Sequence, residues 1–254
     1  MTIDINKLKS TIIKKMVAPD EYNNRNEEIN FILLSKYLNQ LKSIDELTLL
    51  DSGCGPGKKI IKIKDRFPNF RKYIGIDNYA PSIKRCIKLN EPNIEFILGD
   101  CLDMPIESKT IDIVISNQVI EHISKYHIYI NEIKRVLVKD GLLVISTPNI
   151  HCPRNTFLKL IGKKPILRWS NIHNLPLDEF KGHTQEFTEI ELIDLFISNG
   201  FKLIESYPIR PMITFKGNLI FNFYSIVEFL FFKLTQPFVP KGYSKNNNMI
   251  FKKL

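Results

Sequence analysis

The sequence predicts a doubly wound α/β domain built on a mostly parallel sheet. Three observations carry that expectation. Short apolar runs of strand length recur from Leu47 onward, amphipathic stretches of helical length lie between several of them, and a glycine-rich turn follows the first run.

Residues 1–46 precede this pattern and read as helical, because Ile29, Leu33, Leu34, Tyr37, Leu38 and Leu41 recur at three-to-four spacing among polar neighbours. They are expected to form an N-terminal cap on a domain spanning 47–254. Met1 to Lys15 alternates Ile with Lys, Asp and Asn, a pattern unsuited to a secretory leader. The strand candidates are Thr48–Asp51, Lys72–Asp77, Ile94–Gly99, Ile111–Ser116 and Leu142–Thr147. Helices are expected over Lys58–Arg66, Pro81–Leu89 and Ile123–Leu137. Right-handed crossovers then place ligand sites at the carboxyl ends of the strands.

After Pro148 the chain turns polar and rich in His, Asn and Pro, so 149–182 reads as an insertion at the mouth of the site. Thr188 is the expected N-cap of a further helix, with Glu191 as its capping-box partner and Gly200 at its close. Phe201–Ile209 reads as a late strand and Met249–Lys252 as a short final one. Between them lies an apolar helix, 213–240, whose centre at 219–234 is interrupted by Asn222, Glu228 and Lys233 and is too short to cross a bilayer comfortably. Asn218, Asn222, Ser225 and Glu228 form only a narrow polar stripe, so the rest of the helix needs a cover. Packing on the body, a homodimer contact, and peripheral contact with a membrane or lipidic substrate all satisfy that need.

Composition sets outer bounds. Of 254 residues 44% are hydrophobic and 25% charged, as in ordinary globular proteins. Cys54, Cys86, Cys101 and Cys152 show neither a CxxC pair nor zinc-ligand spacing, which suits reduced thiols in a cytoplasmic protein. The net charge is +9, and residues 201–254 carry eight Lys or Arg against two acids. Such an excess fits an anionic substrate, nucleic acid or anionic lipid, or simply a solvated basic surface.

The chemistry concentrates at strand ends. The first strand runs into Asp51-Ser52-Gly53-Cys54-Gly55-Pro56-Gly57, where glycines let the backbone approach a ligand and a helix N-terminus offers unpaired N–H groups. The spacing is GxGxG, unlike the GxGxxG of dinucleotide sites, and Asp51 two residues before Gly53 would repel a pyrophosphate. That acid suits a ligand with a cationic amino-acid end. Asp77 lies 20 residues after Gly57, at the end of the second strand, where a carboxylate can bond ribose hydroxyls. Asp100 ends the third. Any one of these is compatible with a turn or cap, but three acids ending three successive strands are harder to explain that way.

Taken together, LLDSGCGPG, YIGIDNYAPSI, FILGDCLDMP, DIVISNQVIEHI, IKRVLVKDGLLVISTPN and HTQEFTEIELIDLFISNGF closely resemble the class I S-adenosylmethionine-dependent methyltransferases. The resemblance is strong over 47–148 and weaker over 183–205. It implies a seven-stranded methyltransferase fold with an antiparallel seventh strand beside the fifth, for which Met249–Lys252 is the candidate. The implied cofactor is S-adenosylmethionine. Asp51 with Gly53, Cys54, Gly55 and Gly57 would hold its methionine end. Asp77 and Asn78 would meet the ribose. Asp100, Cys101 and Leu102 would meet the adenine, and Asn117 would border the methyl group.

Methyl transfer from a sulfonium needs alignment and exclusion of water, and proton removal from the acceptor can need a base. His122, with an ordinary pKa of about 6.5, can take a hydroxyl proton, and His183 is a second candidate catalytic residue. Alternatively, Glu121 and His122 brace the following helix. Small-RNA 2′-O-methyltransferases and ubiquinone-pathway O-methyltransferases are similar around an ExxEH segment that binds a divalent ion in certain members. Here Gln118 replaces the first acid, and because Mg²⁺ prefers anionic oxygens the expectation is that no metal binds. The leading function is O-methylation of a small-molecule, glycan or lipid-linked acceptor. One alternative is an RNA methyltransferase, favoured by basic charge but lacking a run of basic residues interleaved with aromatics. A non-catalytic cofactor-binding scaffold is the other, opposed by intact Asp51, Asp77 and Asp100.

Overall fold

The structure is a computed structural model that describes residues 34–38, 44–152, 155, 162, 182–207 and 246–254. Most of the expected N-terminal cap, nearly all of the 149–182 insertion and the whole 213–240 helix lie outside the described residues.

Seven strands form one sheet in the order β3-β2-β1-β4-β5-β7-β6. They are β1 (Thr48–Ser52), β2 (Lys72–Asp77), β3 (Ile94–Leu98), β4 (Ile111–Asn117), β5 (Leu137–Pro148), β6 (Phe201–Ser206) and β7 (Asn246–Lys253). Strands β1 to β5 pair in parallel, while β7 runs antiparallel to both β5 and β6. Helices among the described residues include α1 (Lys58–Arg66), α2 (Ala80–Leu89), α3 (Tyr126–Val136) and α4 (Glu189–Ser198). The expected doubly wound sheet is present, and the final strand occupies the place beside the fifth that the resemblance implied.

Alternation along the strands divides the core into two layers. Leu50, Val114, Leu143 and Ile145 join Tyr129 and Ile133 of α3 and Phe196 of α4 on one face. Leu49, Ile113, Ile115 and Val144 join Ile60 and Ile63 of α1 on the other, where Leu34 and Leu38 also pack. A strand covered on both faces has no polar alternation to preserve, which explains the continuous apolar runs in the sequence.

Several boundaries differ from the sequence expectation, two of them for reasons visible in the surrounding contacts. The helix expected from Ile123 begins at Tyr126, after a separate 3₁₀ turn at Ile120–His122. The carbonyl of Glu121 accepts from Thr184 N and Oγ1, and that of Ile123 from Gln185 Nε2, so this distant segment takes acceptors that a helix would have used. Strand β5 begins at Leu137, five residues early, with a register shift between Ile111 and Ile113 of its β4 partner. The capping box at Thr188 and Glu191 forms as expected, with both reciprocal bonds present. At the far end of the sheet, Lys253 Nζ donates to the carbonyls of Lys134 and Leu137, capping the C-terminus of α3.

Candidate functional site

The donor side is built from backbone at the carboxyl ends of β1, β2 and β3. Gly53 and Gly57 adopt φ of +76° and +77°, a region costly for other residues. A Cβ on Gly53 would lie 2.5 Å from Val119 Cγ2, and one on Gly57 would lie 2.9 Å from Cys86 Sγ. The turn is pinned from beneath: Gly53 N and Cys54 N both donate to Ile76 O, and Gly55 N donates to Asp77 Oδ2 at 2.8 Å. Asp77 Oδ1 accepts from Tyr79 N, so the carboxylate is oriented by two backbone donors and keeps lone pairs for a ligand. Asp100 makes a similar local bond, its Oδ1 accepting from Leu102 N. Asn78 follows β2 in an exposed position.

Asp51 is different. It is 1% exposed, and neither carboxylate oxygen has a hydrogen-bond partner. Burial pushes its pKa up to about 6, opposed by the charge of Lys59 and assisted by that of Asp77. A buried carboxylate with no partner is costly unless a cation reaches it. An ammonium arriving over the glycine turn would supply that partner.

A layer of small polar groups that sequence reading missed lies under the turn. The Tyr129 hydroxyl is within hydrogen-bond distance of Ser52 Oγ (3.0 Å) and Ser116 Oγ (2.8 Å), and Ser52 Oγ donates to Cys101 Sγ at 3.3 Å. These contacts tie β1, β4, α3 and the end of β3 together. Burial raises the Cys101 thiol to about 11 and pushes the Cys54 and Tyr129 groups up as well, so all three stay neutral at physiological pH.

The acceptor side forms where β4 ends. Asn117 is buried with Oδ1 unpartnered, and Gln118 takes φ +58°, its amide N–H donating to Ser146 O and its Nε2 to Ser146 Oγ. A left-handed conformation at a glutamine costs energy and marks a position held by its surroundings. Beyond it, Glu121 is fully buried, its Oε2 accepting from Thr147 Oγ1 at 2.9 Å. His122 and His183 meet edge to face with ring centroids 4.8 Å apart. His183 Nδ1 lies 2.9 Å from Oε1 of the buried Glu186. One donor atom each from Glu121, His122 and His183 fall within 4.8 Å of one another, an arrangement able to hold a divalent ion. The structure thus brings together Glu121, His122 and His183, all singled out in the sequence, and adds Thr147 and Glu186 around them. Glu186 sits three residues after His183, a spacing with no meaning until the local conformation is known.

A family model described as a methyltransferase domain matches residues 44–204. The chain belongs to the class I S-adenosylmethionine-dependent methyltransferases. It is 30% identical over 155 residues to a "Probable S-adenosylmethionine-dependent methyltransferase" of Mycolicibacterium smegmatis, covering 61% of this chain and 52% of that one. It is 26% identical over 165 residues to the ubiquinone biosynthesis O-methyltransferase of Pelagibacter ubique, covering 64% of each. The chain therefore spans about half the length of the mycobacterial relatives it matches. Among solved structures the fold is shared with the [4+2]-cyclase SpnF, at TM-score 0.58 and 13% identity over 89% of this chain and 81% of that one. Geranyl diphosphate C-methyltransferase from Streptomyces coelicolor gives TM-score 0.55 and 16% identity over 84% of this chain and 73% of that one. The methyltransferase cofactor, S-adenosylmethionine, fits the donor side. Asp51 suits its ammonium, Asp77 its ribose hydroxyls, and the glycine turn lets the backbone come close.

Proposed function

We propose that this methyltransferase moves a methyl group from S-adenosylmethionine to an oxygen of a small-molecule, glycan or lipid-linked acceptor. The observation that carries the reading is the grouping of Glu121, His122 and His183, the first two of which follow closely on Asn117, the last residue of β4. The bound cofactor supplies a methyl on a sulfonium, open to in-line displacement. Asp51 and the turn hold the amino-acid end, Asp77 orients the ribose, and buried Asn117 presents an amide oxygen at the strand edge. On transfer, the acceptor's oxygen–carbon bond forms, the sulfur–carbon bond breaks, and the hydroxyl proton leaves. His122, the least buried of the three grouped side chains, is placed to receive it.

The O-methyltransferase among the relatives supports oxygen as the methylated atom, and the apolar 213–240 stretch supports a lipidic or membrane-presented acceptor. The test is native mass spectrometry of the protein purified from its own cells, followed by transfer assays on whatever co-purifies. A methylated hydroxyl on a small molecule, glycan or lipid is the expected result. Transfer only to RNA, or no transfer with cofactor bound, would overturn the reading in favour of an RNA enzyme or a cofactor-binding scaffold.

A further inference from the structure

We propose that Asn117, Ser146 and Asn248 form a row that recognises the methyl acceptor, and that the group it recognises is neutral and rich in hydroxyls, a sugar or a cyclitol. The proposal rests on the oxygen-acceptor reading above and names the substrate class within it.

Strand register sets the row. Ile115 pairs with Val144 and Val144 with Ile250, which makes an apolar row across β4, β5 and β7. One step of side-chain alternation nearer the carboxyl ends of β4 and β5, Asn117 pairs with Ser146 and Ser146 with Asn248. The same face of the sheet therefore changes from apolar to polar at the end where the glycine turn lies. The pairing continues to that turn, since Ser116, next to Asn117, pairs with Ser52, next to Gly53. Asn117 is 9% exposed, and Ser146 and Asn248 are 0% exposed.

The polar atoms of the row are oriented by their neighbours. Asn248 Nδ2 donates to the carbonyls of Tyr207 and Asn246, both at 3.4 Å, so the donor side of the amide is committed. Its Oδ1, like that of Asn117, has no hydrogen-bond partner among the described residues. Between them Ser146 Oγ accepts from Gln118 Nε2 at 3.2 Å and keeps its own proton to donate.

Lone pairs decide the ligand. Buried amide oxygens without donors are costly, and an alkyl chain laid on the row would leave them so. A phosphate or carboxylate would bring further acceptors, and an ammonium would find no carboxylate in the row to offset its charge. Neighbouring strands lie about 4.8 Å apart, which puts the two outer amides about 10 Å from each other, too far for one isolated hydroxyl to serve both. Hydroxyls spaced along a ring or a pair of rings, each able to donate and accept, match two acceptors that flank a serine.

The test uses the full chain with S-adenosylhomocysteine bound, titrated with methyl glycosides of glucose, galactose and mannose and with inositol while the ligand NMR signals are followed. Octanol and octylamine are the comparison ligands. At least one hydroxyl-rich probe is expected to bind at millimolar concentration, and more tightly than either comparison. Asn248→Leu, which nearly keeps the volume and removes the carbonyl, should weaken that probe about tenfold while S-adenosylhomocysteine affinity holds. Should Asn248→Leu not fold, Ser146→Ala carries the test, with a loss of about threefold or more. No binding by any hydroxyl-rich probe, tighter binding of octanol or octylamine, or unchanged probe affinity in the variant would each overturn the proposal and leave the row a feature of packing. Methyl transfer to a hydroxyl of a molecule that is not a polyol defeats this inference alone. Transfer to nitrogen, or no S-adenosylhomocysteine binding by the unaltered chain, defeats the reading on which it rests.

Discussion

The two halves of the site are built by different means. The donor half is local and made of main chain, with the turn after β1 and the ends of β2 and β3 holding one another through Gly55 N to Asp77 and Gly53 N to Ile76. It leaves one side chain, Asp51, without a partner. The acceptor half is made of side chains from segments up to about sixty residues apart, and apart from Asn117 Oδ1 its groups bond one another: Glu121 with Thr147, His183 with Glu186, and the Glu121 carbonyl with Thr184. A half that waits for a ligand should respond most to that ligand. A half already bonded should respond most to loss of its own members.

The largest effect is expected in the second half. His122→Ala should slow methyl transfer about 10²- to 10⁴-fold, the usual range for losing acid–base assistance, with S-adenosylhomocysteine binding nearly intact. Single-turnover rates with the identified acceptor check it, alongside the melting temperature. Equal loss of rate and of cofactor binding would mean that the halves are not separable.

A smaller change is expected from Asp77→Ala, which removes the acceptor of Gly55 N and the carboxylate proposed to meet the ribose hydroxyls. Hydrogen bonds to a charged group contribute about 1.5–3 kcal/mol each, so the dissociation constant should rise at least tenfold. Calorimetry decides it, and an unchanged constant would place the ribose elsewhere. The smallest effect is Thr188→Ala, which removes the side-chain acceptor for Glu191 N at the start of α4. It should lower stability by about 1 kcal/mol and leave both ligand affinity and rate alone. Thermal unfolding measures the first, and a rate loss beyond it would show that α4 transmits to His183.

The same contrast explains what the sequence disclosed. Strand, turn and helix follow one another within 47–100, so the glycine spacing and the three terminal acids could be read in a line. The layer beneath was hidden because Tyr129 looked like any apolar-face residue of α3, and its contact with Ser52 and Ser116 depends on the register of β1 against β4. Glu186 and Thr147 carried no signal, since their meaning comes from contacts between distant segments. Even the misplaced start of α3 has this origin, for the carbonyls of Glu121 and Ile123 are taken by residues 184 and 185. The antiparallel placement of the final strand beside the fifth was legible only through family resemblance.

The central claim is that buried Asp51 is kept for the cationic end of the cofactor, and its pKa of about 6 makes that measurable. A carboxyl whose folded pKa lies above its ordinary 3.8 costs stability as pH rises from about 4 through about 6. A shift of about two units corresponds to roughly 3 kcal/mol, so Asp51→Asn should make the ligand-free protein more stable at pH 7 and little changed at pH 4. A bound ammonium removes that cost by favouring the ionised form. Calorimetry of S-adenosylhomocysteine binding from pH 5 to pH 8, in buffers of differing ionisation enthalpy, tests this directly. Affinity should be highest above pH 7 and fall towards tenfold per unit below about pH 6, where binding releases close to one proton, and Asp51→Asn should abolish both the pH dependence and most of the affinity. Affinity that stays flat across this range with no proton released, or no binding at millimolar ligand, would contradict the account.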